Sequence, residues 1–505
     1  MRAIGLFGAA ILAAASPAAA QHEHAAGNPS AMRVGEVHFV NSGNPAAQAP
    51  FLRGMALLHD FEYPTAAEAF REAQAADPGF VMAYWGEAMT HNHPLWAEQD
   101  PEAARAVLTR LGPDPVARAA KARSPRERQW LSAVEALYGA GTKFERDRAY
   151  ADQMQKLFAA DPNDVDARAF RALSVMGLAN TGRDVGLYMQ AAALLEEAFP
   201  SHPDHPGVVH YMIHAYDDPT HAPLGERAAR RYAVIAPDAG HAQHMVSHIY
   251  LALGRWSEVE RANINAMRVV NAGRVKRGAP PGHCGHYVEW QAYALLQKGE
   301  DASALIQACR ADGVAAVAAG GEKTVLGGRE INSWSDMAVR HGIETGRWPE
   351  AVALPSGRYE FARFNLHYAR LLAARRQPAE AASALAGLRQ SRTAIAAAMI
   401  KERPDDREIM PWIERAVAQG EAVVALASGR QDEGMTLLRA AAAAEAALPI
   451  PFGPPILQKP SAELLGDELL ATGHKAEAAD AFRTVLGAAP NRRLSVRGLA
   501  AATAQ

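Results

Sequence analysis

Two cysteines among 505 residues cannot supply a framework of cross-links, so this chain must be held together by packing. Aromatic side chains make up only 7% of it, beta-branched residues are sparse, and no stretch alternates apolar and polar positions as strands do. A β-sandwich or barrel is thereby excluded. Charge of one sign is also missing. The formal balance is −3, and loss of a leading segment with Arg2 would make it more negative still. No basic stripe with interleaved aromatics is present, which leaves no electrostatic case for nucleic acid or an anionic membrane. Past the first twenty residues no apolar run is long enough to span a bilayer. A nucleophile elbow, a phosphate-binding glycine loop and a dinucleotide fingerprint are all absent.

What is abundant is alanine, arranged in a repeat. Gly54, Ala66, Phe70, Ala73 and Pro78 stand at small-residue, aromatic and helix-ending positions of one helical hairpin. Small residues let paired helices approach, and the Asp-Pro pair ends the second helix because proline cannot continue it. The pattern returns at Asp161-Pro162, Gly254-Arg255-Trp256, Gly299-Glu300 and Gly346-Arg347-Trp348, and again at Gly473, Ala478, Phe482 and Pro490. One continuous pattern predicts one array, of about eleven helical hairpins, rather than separate globular domains.

These offsets and the 34-residue spacing of paired histidines resemble the tetratricopeptide repeat superfamily over nearly the whole mature length. The resemblance implies an all-α fold over 50–505, a right-handed superhelical solenoid of helix–turn–helix repeats. The segments HYMIHAYDDP, HAQHMVSHIYLALGRW and AYWGEAMTHNHPLW, with KPSAELLGDELLATGHKAEAADAF near the end, resemble a bacterial family of exported tetratricopeptide-repeat proteins. Its members are known mostly by the repeat, so the resemblance implies fold and export without naming an activity.

The first twenty residues read as a signal peptide: Arg2, an apolar run from Ile4 to Ala15, then Ala18-Ala19-Ala20 before a cut at Gln21. The expected location is periplasmic or secreted. Residues 21–49, rich in Gly, Pro, Ala, Ser and Asn, read as a flexible lead-in. His22 and His24 lie at its start, as part of a polar tail or as helpers in metal capture. An oxidising compartment permits a disulfide between Cys284 and Cys309, which lie in neighbouring parts of one hairpin. The alternatives are two unpaired thiols, or Cys284 as a metal ligand between His283 and His286.

The histidines carry the functional signal. His210 and His214 are repeated 34 residues later as His244 and His248, and His59 is repeated as His93. Phased on Gly254, His241, His244 and His248 share one helical face. The preceding repeat adds His210 and His214, and the following one adds His286 and Glu289. In the family these positions line the concave groove where ligands bind. Seven donors on three successive first helices therefore predict a metal site for zinc, copper or iron, imidazole being the commonest metal ligand. The glutamate of a HExxH motif is missing, since Tyr211 and Met245 follow the first histidine of each pair, so the zincin arrangement is not expected. A second group, His59, His91 and His93, belongs to the first two repeats. Asp217 and Asp218 follow His214 closely enough to orient imidazoles from behind.

Two functions fit these residues. One is a binding or scaffold protein whose groove holds a peptide, a protein segment or a small molecule beside the metal. The other is a metal-dependent hydrolase or oxidoreductase with Glu289 as the base. An open groove excludes water poorly and favours the first. Closure by the segments around Pro94–Pro101 or Arg274–Gly282 would favour the second.

Overall fold

Helical hairpins follow one another along the whole of the computed structural model, which describes residues 32–504 apart from 180–181, 321–323, 405 and 407. The expected signal peptide and the histidines at 22 and 24 lie outside the described residues. Arg33–Gln505 forms one compact unit.

Its first half contains the hairpins Pro45–His59 with Tyr63–Ala76, Val81–Met89 with Pro101–Leu111, and Pro125–Leu137 with Lys143–Ala160. Val165–Met176 with Val185–Ala198, and Pro206–Ala215 with Ala222–Ile235, complete it. Next come Gly240–Ala252 with Trp256–Lys276 and His286–Lys298 with Ser303–Ala319. Arg329–Thr345 stands singly before Glu360–Ala373 with Pro378–Glu402, Ile409–Ala427 with Gln431–Ala446, and Ser461–Ala471 with Lys475–Ala488. Arg493–Thr503 caps the end. The fold is thus an all-α solenoid of tetratricopeptide-type hairpins, interrupted by a two-residue β-ladder of Asn92–His93 with Glu98–Gln99.

Local chemistry accounts for the helix boundaries. The side chains of Asp100, Ser124, Thr142, Asp164 and Asp184 accept hydrogen bonds from the first-turn amides of the helices they precede. The interlock between helices is also visible in the sequence. A Cβ added to Gly54 would lie 2.8 Å from the ring of Phe70, and one added to Gly86 only 2.3 Å from it. Phe70 therefore fills a notch made by two glycines on neighbouring first helices. Phe482 does the same between Gly466 and Gly498. Any side chain at these glycines would force the helices apart.

The array curls back on itself twice, so its inner face is not an open groove. In the first half, Gly35 N–H donates to the Ile235 carbonyl (3.0 Å) and Tyr232 OH to Asp60 (2.7 Å), which sets the first hairpin against the fifth. The interior of this curl is filled by aromatics. Trp85 and Trp130 meet edge to face at 4.9 Å, and Phe170 abuts both, at 5.5 and 5.6 Å. In the second half Trp256 Nε1 donates to the Asn491 carbonyl (3.1 Å), and fully buried Arg492 reaches Glu463 (2.7 Å) and Tyr293 (3.3 Å).

One expectation is corrected. The stretch 21–49 is not a flexible lead-in from residue 33 onward, and helix begins at Pro45 rather than after residue 49. Val34, Val37 and Phe39 are buried, and Phe39 packs on Phe51, Trp85 and Trp130. Three apolar side chains within a polar composition outweigh that composition, because burying each is worth about 1.5–3 kcal/mol. The cysteines are also settled: Cys284 and Cys309 form a disulfide, Cα atoms 4.8 Å apart. It ties the segment just before helix His286–Lys298 to helix Ser303–Ala319, and Cys284 is therefore not a free thiolate for a metal.

Candidate metal centre

Helices Pro206–Ala215, Gly240–Ala252 and His286–Lys298, each the first helix of its hairpin, lie side by side at the junction of the two curls. Spacings of three and four residues turn their imidazoles the same way. Their ligand atoms gather as two trios, His210, His214 and His241, and His244, His248 and His286, each within 4.8 Å of one another. Each trio draws members from two helices. The trios adjoin, with ring centres of His214 and His248 at 6.0 Å and of His241 and His244 at 6.2 Å.

Each trio has an aromatic wall. Phe61 presses on His210 (ring centres 4.4 Å), His214 and His241, from a left-handed backbone conformation with φ of 58°. Such a conformation is uncommon for a bulky residue. Trp290 covers His244 (4.7 Å) and His248 (4.4 Å). Glu62 accepts from the His241 amide (2.9 Å), fixing the start of helix Gly240–Ala252 from the first repeat.

Hydrogen bonds behind the rings decide their tautomers. His248 Nδ1 donates to Asp217 Oδ2 (2.6 Å), and His210 Nδ1 donates to the His59 carbonyl (2.6 Å). His244 Nδ1 donates to Asn263 Oδ1 (2.7 Å), an amide oriented by its own Nδ2 donation to the Val259 carbonyl (2.8 Å). Three rings thus carry their proton on Nδ1 and present a bare Nε2 lone pair. The Nε2 atoms of His244 and His248 nevertheless face each other at 3.1 Å. Two acceptors at that distance repel unless a cation lies between them. His210 and His214 repeat the 3.1 Å approach, and His241 Nε2 is buried with no hydrogen-bond partner.

For five of the six rings, desolvation favours the neutral form. It lowers His210 to about 3 and His286 to about 3, and drives His214, His241 and His244 well below the usual histidine range. Neutral imidazole is the form that binds metal.

His214, His241, His244, His248 and His286 open onto a cavity of about 1340 Å³. His286 is exposed on the cavity side. Both segments considered as lids border it, through Leu95–Glu98 and through Arg274, Arg277 and Gly282, and a third comes from the C-terminal half at Pro451–Gln458. Glu289 also lines it but joins neither trio. Its carboxyl bonds Ser333, and burial together with nearby Asp336 pushes it up to about 7.

The second expected group does not assemble. His91 is half-buried, with burial lowering it. His93 stacks on Tyr63 (ring centres 4.1 Å) beside Glu98 (3.6 Å). Only His59 turns inward, and its partners are Asp166 and His205, which spacing alone did not single out. Asp166 comes from the fourth hairpin, where one acidic residue on a helix carries no distinguishing signal. In this triad every ring nitrogen is used. Asp166 Oδ1 accepts from His59 Nε2 (3.0 Å) and His205 Nε2 (3.2 Å), His59 Nδ1 accepts from Tyr211 OH (2.9 Å), and His205 Nδ1 accepts from Val208 N–H (3.4 Å). No ring lone pair is left for an ion. Asp217 takes the orienting role expected of it, whereas Asp218 turns to His221 (2.8 Å).

No protein-family model matches this sequence, and no curated protein matches it. Among solved structures, the TPR domain of P58(IPK), a crystal structure at 2.5 Å, is similar at 10% identity and a TM-score of 0.23. The alignment covers 90% of this chain and 97% of that one.

Proposed function

We propose that this is an exported metal-binding protein, whose helical repeats hold transition-metal ions on six histidines at the edge of a broad cavity. The observation that carries this is the pair of bare Nε2 atoms of His244 and His248 at 3.1 Å, each ring fixed from behind by Asn263 or Asp217. Two lone pairs converging in a buried contact of this kind offer a cation two ligands already held in place. Export is supported by the Cys284–Cys309 bond, which suits an oxidising compartment, and by the leader-like first twenty residues. The cavity volume suits a small molecule or a short peptide end reaching the metal. Elemental analysis of protein from its native compartment is the test, beside a His244→Ala/His248→Ala variant. Stoichiometric metal that falls in the variant supports the assignment; a folded, metal-free native protein that takes up no added copper, zinc or iron overturns it.

Turnover of the bound small molecule is a second reading, favoured by the bordering segments and by Glu289. A carboxyl raised to about 7 is suited to exchanging protons near neutral pH. Metal-loaded protein screened against ester and phenol substrates tests this. Activity lost in Glu289→Gln with metal retained supports it, and an inactive metal-loaded protein counts against it.

A further inference from the structure

The two trios differ in composition from most paired-metal sites in one respect: neither contains a carboxylate. An ion of charge +2 on neutral imidazoles alone keeps its full charge unless a hydroxide or another anion from the cavity joins it. Two such ions would also repel each other across adjoining trios. The carboxylate in direct contact with a ligand ring, Asp217, sits behind His248 and also faces buried Arg183 at 3.6 Å, so it fully compensates neither trio. Copper(I) halves the charge at each position and is satisfied by three nitrogen donors, and copper stands highest in affinity for nitrogen ligands among the divalent first-row ions in its oxidised form.

Geometry separates the donors into two positions. An ion with bonds of about 2.0–2.1 Å keeps even opposed ligand atoms within about 4.2 Å of each other. The ligand atoms meet a limit near that value, 4.8 Å, as two sets of three rather than one set of six. Each trio also has its own aromatic wall, Phe61 or Trp290, and its own supporting acceptor, the His59 carbonyl or the Asn263 and Asp217 pair. Two independently supported half-sites stand next to each other, and both face the same cavity.

Resting on the metal-binding reading above, we infer that the histidines form a dinuclear copper centre, one ion on His210, His214 and His241 and the other on His244, His248 and His286. With three protein ligands each, both ions keep an open position toward the cavity, so a small ligand entering there can touch both.

The test is anaerobic titration of the full-length, metal-stripped protein with copper(I). Two equivalents should bind tightly, and His210→Ala/His214→Ala and His244→Ala/His248→Ala should each retain one. Crystals of the copper-loaded wild type should show two anomalous peaks at the copper edge, a result that does not depend on whether the variants fold. After oxidation the wild type should give little copper paramagnetic resonance, because adjacent copper(II) spins couple, while each variant should give the signal of one isolated ion. A single equivalent with a single peak overturns the dinuclear assignment, as does loss of all copper in either folded variant. Retention of zinc from an equal mixture of zinc and copper(I) overturns the choice of copper. Failure of any metal to bind would instead refute the reading on which this inference rests.

Discussion

Two groups of buried histidines lie within one contact of each other and have opposite chemistry. His59 and His205 share Asp166, and Tyr211 and the Val208 amide complete them, so that each ring nitrogen has a partner. His244 and His248 are as deeply enclosed, yet their hydrogen bonds all lie on the far side, at Asn263 and Asp217. Their Nε2 atoms meet lone pair to lone pair. Ligand spacing is alike in the two groups, each with three donor atoms within 4.8 Å of one another. What separates a packing histidine from a metal ligand is where its second lone pair is left. The triad braces the wall on which the trios stand, since the His59 carbonyl orients His210.

The contrast can be broken from the triad side first. Asp166→Ala leaves two buried imidazole donors without an acceptor, each at about 1–3 kcal/mol, for a loss on the order of 4 kcal/mol. The urea midpoint should fall accordingly, while metal per folded chain stays unchanged. A variant that keeps its midpoint and loses metal would mean that the triad is the ligand set. The next effect comes from the disulfide. Replacing Cys284 and Cys309 together by serine reopens the loop they close, at about 3 kcal/mol. Because Cys284 precedes His286 by two residues, metal should weaken at the trio containing His286 and not at the trio of His210. Equal weakening at both would show that the two are not independently supported.

These predictions depend on contacts of unequal visibility. The hairpins were legible because glycine, alanine and phenylalanine offsets encode a local interlock, seen here as Phe70 between Gly54 and Gly86. The alignment of His210, His214, His241, His244, His248 and His286 was legible for the same reason: helical periodicity fixes which residues share a face. Curvature was not. It is the sum of small packing rotations, decided by what fills the inside, and Phe39, Trp85, Trp130 and Phe170 fill it from four separate regions. The return of the first hairpin onto the fifth is therefore not fixed by residue spacing, and neither is the separation of His59 from His91 and His93. Glu289 shares the right helix, but Ser333 from a neighbouring helix bonds its carboxyl and it joins neither trio. Asn263 and Asp217 could be identified as orienting groups only after the rings had positions.

A smaller effect sharpens the comparison from the metal side. Asp217→Asn keeps the shape behind His248 but removes the charge that supports its Nε2 as a donor. Copper affinity at that trio should drop about 10–100-fold, with the other trio unaffected, read by competition with a chelator of known affinity. The smallest expected effect returns to the triad. Tyr211→Phe deletes the hydroxyl that donates to His59 Nδ1 at 2.9 Å, and leaves one acceptor buried and unpaired in an otherwise intact network. His59 cannot recover by exchanging tautomers, because Nε2 must keep its proton for Asp166. The loss should be about 1 kcal/mol in the urea midpoint, with two coppers still bound. Tyr211 lies next to His210 in sequence, so a change in copper stoichiometry from this substitution would place the tyrosine, and with it the triad, inside the metal centre rather than behind it.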